Sequence, residues 1–182
     1  MNKKLSTKEL VIVGLGAALM GVFSQLSIPI PTVPLTLQVF GAIMLAVILE
    51  SKLATLTMIV YTLIGGIGIP VFANFNRGFN VIVGPTGGYI LGFILLAYIV
   101  GKVAEQKNKS ILIIGTYVGL ILQYMIGTLQ LKMVLNVSFG EAMIAGVYPF
   151  ILKDLILTGL ALVVALQIKK QIRSVINGRV QA

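Results

Sequence analysis

The sequence predicts an all-α integral membrane protein of six transmembrane helices with both termini in the cytoplasm. Three observations lead there. Of the 182 residues, 58% are hydrophobic and only 10% are charged, against about 25% charged in a soluble domain. The apolar residues fall into six segments, 9–28, 35–50, 53–72, 83–103, 110–130 and 142–168. A bilayer core of about 30 Å needs about 20 apolar residues per crossing helix. The basic residues stand at the ends of those segments, and mostly on one side. We therefore expect one transmembrane domain over 1–182, with no room for a large soluble domain.

The first segment follows Lys3, Lys4 and Lys8, as a signal peptide would. No clean small-x-small cleavage pattern follows it, and five more segments do, so it is expected to remain as the first helix. The second segment is short. Its entry through Pro29, Pro31 and Pro34 favours extended or turn backbone over continuous helix. The third ends in Gly65, Gly66, Gly68 and Pro70, which predicts an irregular end. A polar, glycine-containing loop over 73–82 leads to the fourth segment.

Charge sets the orientation. Lys3, Lys4, Lys8, Lys52, Lys102, Lys107, Lys109, Lys169, Lys170, Arg173 and Arg179 would share one face, and only Arg77 and Lys132 occupy the opposite loops. The positive-inside rule puts the first group in the cytoplasm. The formal charge of +9 thus reads as topology. Its lysines and arginines are not interleaved with aromatics as in a nucleic-acid groove.

Composition excludes several chemistries. The chain has no Cys, His or Trp. That removes disulfides, thiolate and imidazole metal sites, and nucleophile–imidazole pairs. The five carboxylates are Glu9, Glu50, Glu105, Glu141 and Asp154, and the first three lie near the predicted inner surface. A paired-carboxylate catalytic site is not expected.

The sixth segment carries Lys153 and Asp154 side by side. A charge inside a membrane helix costs about 2.5–3.5 kcal/mol on insertion scales, so such residues face the bundle interior or a wet cavity. The pair either serves a ligand or neutralises itself. Neighbours on a helix point about 100° apart, which argues against simple face-to-face pairing. The descending sixth helix would hold them in its outer half or near its middle, at a site open to the exterior.

Gly84-Pro85-Thr86-Gly87-Gly88-Tyr89 opens the fourth segment. Free N–H groups at a helix start can meet an anion or a polar ligand head. The same glycines also permit a tight helix crossing. The adjoining loop offers Asn74, Asn76, Arg77 and Asn80 as amides and one fixed cation. Gln25, Gln38, Gln123 and Gln130 are polar positions within or beside spans. In the first segment, Gly14 with Ala18 and Ala17 with Gly21 form small-xxx-small pairs. They would admit a helix from this bundle or from another subunit.

These motifs resemble the BioY family, the biotin-specific S components of energy-coupling factor (ECF) transporters. Pro29-Ile30-Pro31-Thr32-Val33-Pro34-Leu35-Thr36-Leu37-Gln38 is similar to the family's proline-rich first loop. Gly65-Gly66-Ile67-Gly68-Ile69-Pro70-Val71-Phe72-Ala73 resembles the end of its third helix. Gly84 to Tyr89, continuing to Gly92-Phe93, resembles its most specific signature, and Tyr148-Pro149-Phe150 through Asp154-Leu155-Ile156 its sixth-helix motif. Two positions depart. The family pattern has Gly before the aspartate and Lys three after it, where this chain has Lys153 and Leu157. The lysine has moved by about one helical turn, near the same face. The loop Asn74-Phe75-Asn76-Arg77-Gly78 is also poorer in glycine than the family's.

The resemblance implies a multi-pass protein of the bacterial cytoplasmic membrane that binds biotin from outside and delivers it with an ECF module. It implies no enzyme activity and no cofactor. Its partners would be a transmembrane coupling subunit and two ATPase subunits that use ATP; this chain has no Gly-x-x-x-x-Gly-Lys-Ser/Thr run. Expected ligand residues are Asp154, Lys153, Tyr89, Asn80, Asn76, Arg77, Gln38, Gly87 and Gly88, with Lys153 or Arg77 meeting the ligand carboxylate. Gly14, Ala17, Ala18 and Gly21 would dock the coupling subunit. An S component for another small vitamin, or an intramembrane enzyme, are the rival expectations.

Overall fold

The computed structural model describes residues 5–30, 32–106 and 108–180, with side chains as far as 172. Lys3, Lys4, Pro31, Lys107 and the side chains of Arg173 and Arg179 lie outside the described residues.

Helix α1 runs Thr7–Gln25. It starts earlier than hydropathy suggests because Ser6 and Glu9 form a capping box. Glu9 N–H donates to Ser6 Oγ (3.2 Å), and Ser6 N–H donates to Glu9 Oε2 (2.7 Å). The helix stops before a two-residue strand, β1 (Ser27–Ile28), antiparallel to β2 (Leu35–Thr36). The residues on either side of the proline-rich entry thus pair as an extended hairpin, in keeping with the expected extended or turn backbone.

Helix α2 spans Gln38–Gly66 as one assigned helix, but Glu50 inside it has φ 63° and ψ 178°. The two arms fold back on each other there. Gln38 Nε2 donates to the Tyr61 hydroxyl at 2.8 Å, across 23 positions. A straight helix would separate those residues by roughly 35 Å. The arms correspond to the second and third apolar segments. The second arm ends at Gly66 rather than 72, because Gly68 takes φ 110° and Pro70 follows.

A positive φ is strained for glutamate, and the turn is held from two sides. Lys169 Nζ donates to Val47 O and to Glu50 Oε1, both at 2.9 Å. Glu105 accepts from the Ser51 backbone N–H at 3.2 Å and from the Ser51 hydroxyl, and pairs with Lys102 at 3.0 Å. Charged residues assigned to one membrane face by the charge pattern therefore gather at one end of the bundle.

Beyond α2, a 3-10 turn (Ala73–Phe75) and helix α3 (Phe79–Val83) occupy the predicted polar loop. Then come α4 (Gly87–Glu105), α5 (Lys109–Leu135), α6 (Phe139–Gly146) and α7 (Tyr148–Val180). The sixth segment, expected as one helix over 142–168, is broken at Val147 (φ −128°). Pro149 explains the break. Its ring clashes with the carbonyl four residues back and fits only a first turn, so α7 begins beside it.

Among the described residues, five helices are long and apolar enough to cross a membrane: α1, α2, α4, α5 and α7 as far as Ile172. The chain is a multi-pass membrane protein. Its core lies where α1, α2 and α4 meet, around Met20, Ile43, Met58, Leu96 and Val100, each fully buried. Leucines and isoleucines on the outer faces of α1, α5 and α7 stay exposed, as a lipid-facing surface requires.

The expected docking face of α1 is split. Ala17 is 2% exposed, and Gly21 is buried, with Val71 3.5 Å from where its Cβ would lie. This pair joins Val13, Met20 and Ser24 on the side of α1 buried inside the chain. The helical period that pairs Ala17 with Gly21 also aligns them with those core residues. Gly14 and Ala18 remain on the exposed side.

At the clasped end, a Cβ on Gly101 would overlap the Ser51 Cα. We expect Gly101→Val to separate α4 from the α2 turn and cost about 1–3 kcal/mol. Gly14 has nothing within 4 Å of its Cβ position, so Gly14→Ala should cost nothing. Thermal melting in detergent checks both; equal midpoints would contradict the crossing.

Candidate functional site

Gln38, Gln123, Tyr124, Lys153 and Asp154 converge on one cavity, away from the Glu50 clasp. The cavity measures about 240 Å³. Its walls come from the β1–β2 hairpin, the start of α2, the loop 72–76, α4, α5 and α7. Val33, Phe72, Ile90, Phe93 and Phe150 make them largely apolar and aromatic.

Asp154 is the centre of the polar patch and is 1% exposed. The Tyr124 hydroxyl, from α5, donates to its Oδ2 at 2.6 Å. Lys153 Nζ lies 2.8 Å from its Oδ1. That separation is a charge pair, but its angles are not those of a hydrogen bond, so Oδ1 keeps acceptor capacity. Lys153 Nζ also donates to the Thr36 carbonyl at 2.7 Å and sits 5.6 Å from the Phe150 ring centre. Adjacent helix positions therefore do pair. The long lysine stem curls back over the angle that separates the two Cβ directions, and an aromatic face helps hold the cation.

Further polar groups ring this pair. Gln38 Oε1 accepts from the Thr36 hydroxyl at 3.0 Å, while its amide nitrogen reaches Tyr61. The Tyr61 hydroxyl donates onward to Val71 O at 3.1 Å. Gln123, 2% exposed, donates to the Tyr89 carbonyl at 3.2 Å. Its Oε1 has no hydrogen-bond partner among the described residues. An unpaired buried acceptor is costly, which marks it as a point for a ligand donor. The site can thus offer one anionic acceptor, one amide acceptor and one ammonium donor within an apolar box.

Of the residues expected to meet a ligand, Asp154, Lys153, Tyr89, Gln38 and Asn76 line the cavity. Arg77, Asn80, Gly87 and Gly88 do not. Arg77 and Asn80 are exposed, on the loop before α3 and in the first turn of α3. A Cβ on Gly88 would meet Ile126 O at 2.6 Å, and one on Gly87 would overlap Ile82 O. These glycines serve close packing. Nor is the start of α4 a set of free donors, since the Gly87 N–H reaches Gly84 O at 3.2 Å and the Tyr89 N–H reaches Thr86 O at 3.1 Å. Gln130, bonded to Ile82 O and Gly84 O at 2.7 and 2.8 Å, fixes this corner.

Tyr124 escapes sequence reasoning. It stands 30 positions from Asp154, and a tyrosine in an apolar helix carries no signal of its partner. Phe93 and Phe150 do lie within the quoted motifs, and Gln123 is one of four glutamines within or beside the spans with no feature to single it out.

Comparison with known proteins gives a family and a fold. The model of the BioY family matches residues 1–174. A biotin transporter BioY from Thermotoga maritima is 40% identical over 164 residues, 90% of this chain and 96% of the relative. A probable biotin transporter BioY from Pyrococcus horikoshii is 38% identical over 161 residues, 88% and 96% of the two chains. The fold is similar to a crystal structure described as the S-component for biotin from an ECF-type ABC transporter. The TM-score is 0.80 at 24% identity, covering 92% of this chain and 95% of that one.

Proposed function

The chain belongs to the BioY family, and we propose that it is the substrate-binding membrane subunit of a biotin uptake transporter. It takes biotin from the outside and delivers it with an ECF module. In this reading it is not an enzyme. Its partners are a transmembrane coupling subunit and two ATPase subunits, in the cytoplasmic membrane of a bacterium. It forms one membrane domain that crosses six times, the arms of α2 counting separately, with both termini inside. The exposed Gly14 and Ala18 are the part of α1 left for docking.

The observation that carries the reading is the Lys153–Asp154 pair within the cavity. A ureido ring presents a carbonyl flanked by N–H groups. Asp154 Oδ1 accepts from one N–H, and Lys153, 2.8 Å away, donates to the carbonyl. The apolar remainder of biotin lies against Tyr89 and the phenylalanines. The carboxylate then points to the mouth, where Arg77 follows Asn76. With Lys153 already balancing Asp154, a buried ligand carboxylate beside them would leave one negative charge uncompensated.

Asp154→Ala should weaken biotin about 30-fold or more, the loss of a charged hydrogen bond of about 2 kcal/mol. Lys153→Met should weaken biotin and biotin amide equally, whereas Arg77→Gln should weaken biotin more than the amide. Equilibrium binding with purified variants decides this. Unchanged affinity in folded Asp154→Ala refutes the assignment, and a Lys153→Met loss specific to biotin moves the carboxylate to Lys153. For topology, the chain lacks cysteine, so single cysteines report cleanly. In intact cells an impermeant maleimide should label Gly140→Cys and spare Gln106→Cys; the reverse pattern inverts the orientation.

A further inference from the structure

The outer end of α1 touches the cavity's cover rather than the cavity. Two segments form that cover, the β1–β2 hairpin, which follows α1 directly, and the loop 70–76 after α2. Gln25, the last residue of α1, is absent from the cavity lining, yet both ends of its amide are engaged by that loop. Its Nε2 donates to Phe72 O at 2.9 Å, and its Oε1 accepts from the Phe75 N–H at 3.0 Å. Ser24 beside it donates to Val71 O at 2.5 Å. Two adjacent residues of α1 thus hold three backbone groups of the loop, at Val71, Phe72 and Phe75.

The loop needs such anchoring. Asn74 and Phe75 both have φ 57°, in the left-handed region that non-glycine residues avoid. Phe75 is 69% exposed, so burial of its ring does not hold it there. Strained backbone persists only where its surroundings fix it, and the Phe75 N–H is fixed by Gln25. The hairpin is joined to the same point, because the Ser27 hydroxyl donates to Asn74 Oδ1 at 2.9 Å and the Leu37 N–H donates to Leu26 O at 3.2 Å. Phe72 and Asn74 on one segment, and Val33 and Thr36 on the other, face the cavity.

We propose that Gln25 is a positioning residue for ligand retention, a latch whose amide locks the hairpin and the loop 70–76 into one cover over the cavity. The inference rests on the biotin-binding reading. A ligand leaves only when the cover opens, so loosening the latch raises the release rate without altering the groups that touch the ligand. Only a primary amide of this length can donate to Phe72 O and accept from Phe75 N–H together. A glutamate keeps the acceptor, loses the donor and sets an anion beside the Phe72 carbonyl.

The test is the association and dissociation kinetics of radiolabelled biotin on the purified full chain in lipid nanodiscs. Gln25→Leu and Gln25→Glu should each release biotin about tenfold faster or more, with undiminished association and one site per chain retained. Ser27→Ala, a mild change at a half-buried serine, should speed release about threefold. Release within twofold of the unsubstituted rate in Gln25→Leu overturns the latch. So does a loss of binding sites at an unchanged release rate, which would mean that Gln25 only supports the fold. Failure of the unsubstituted chain to bind biotin overturns the underlying reading and the latch with it, whereas normal binding with normal release in the variants overturns the latch alone.

Discussion

A carboxylate with 1% exposure inside an apolar helix is the constraint that organises this molecule. In a bilayer Asp154 needs a counter-charge and hydrogen-bond donors at close range. Lys153 supplies the charge from the neighbouring position, and Tyr124 reaches from α5 to supply a donor. Lys153 in turn donates to the Thr36 carbonyl, which ties the β1–β2 hairpin to α7. Three parts of the chain distant in sequence are thereby brought to one point. The cavity sits where they meet.

The opposite end of the bundle holds a second set of charges with a different task. Lys169, Glu50, Ser51 and Glu105 close the reversal inside α2 and join it to α4 and α7. Between the two ends, small residues let helices approach to backbone contact. Gly92 lies against Gln123, and Gly127 lies under the Tyr89 ring. These crossings set the position of Tyr89 and Gln123, so the walls of the cavity are held by packing below it, while its cover hangs on the end of α1.

Much of this was legible in the sequence because the bilayer imposes a strong code. Hydropathy and the lysine distribution marked the membrane segments, and the rarity of charge inside a span singled out Lys153 and Asp154. The turn at Glu50 was legible as a boundary between segments, but not its backbone conformation, which rests on Lys169 more than a hundred positions away. The break at Val147 was missed because α6 and α7 are both apolar, so hydropathy runs through it; Pro149 was the local signal. Glycine was the least legible residue. Gly87 and Gly88 read as open to a ligand and Gly21 as open to a partner, yet backbone carbonyls fill the space at the first two and Gly21 is buried beside Val71. A small residue says that something comes close without saying what.

On the proposed function, the box around Asp154 and Lys153 recognises biotin. Equilibrium binding of radiolabelled biotin to the purified, unsubstituted chain, challenged with excess unlabelled biotin, thiamine or riboflavin, tests it most directly. The expected result is saturable binding of one biotin per chain, displaced by biotin and not by the other two vitamins. Absence of saturable binding by well-folded protein, or equal displacement by thiamine or riboflavin, would contradict it.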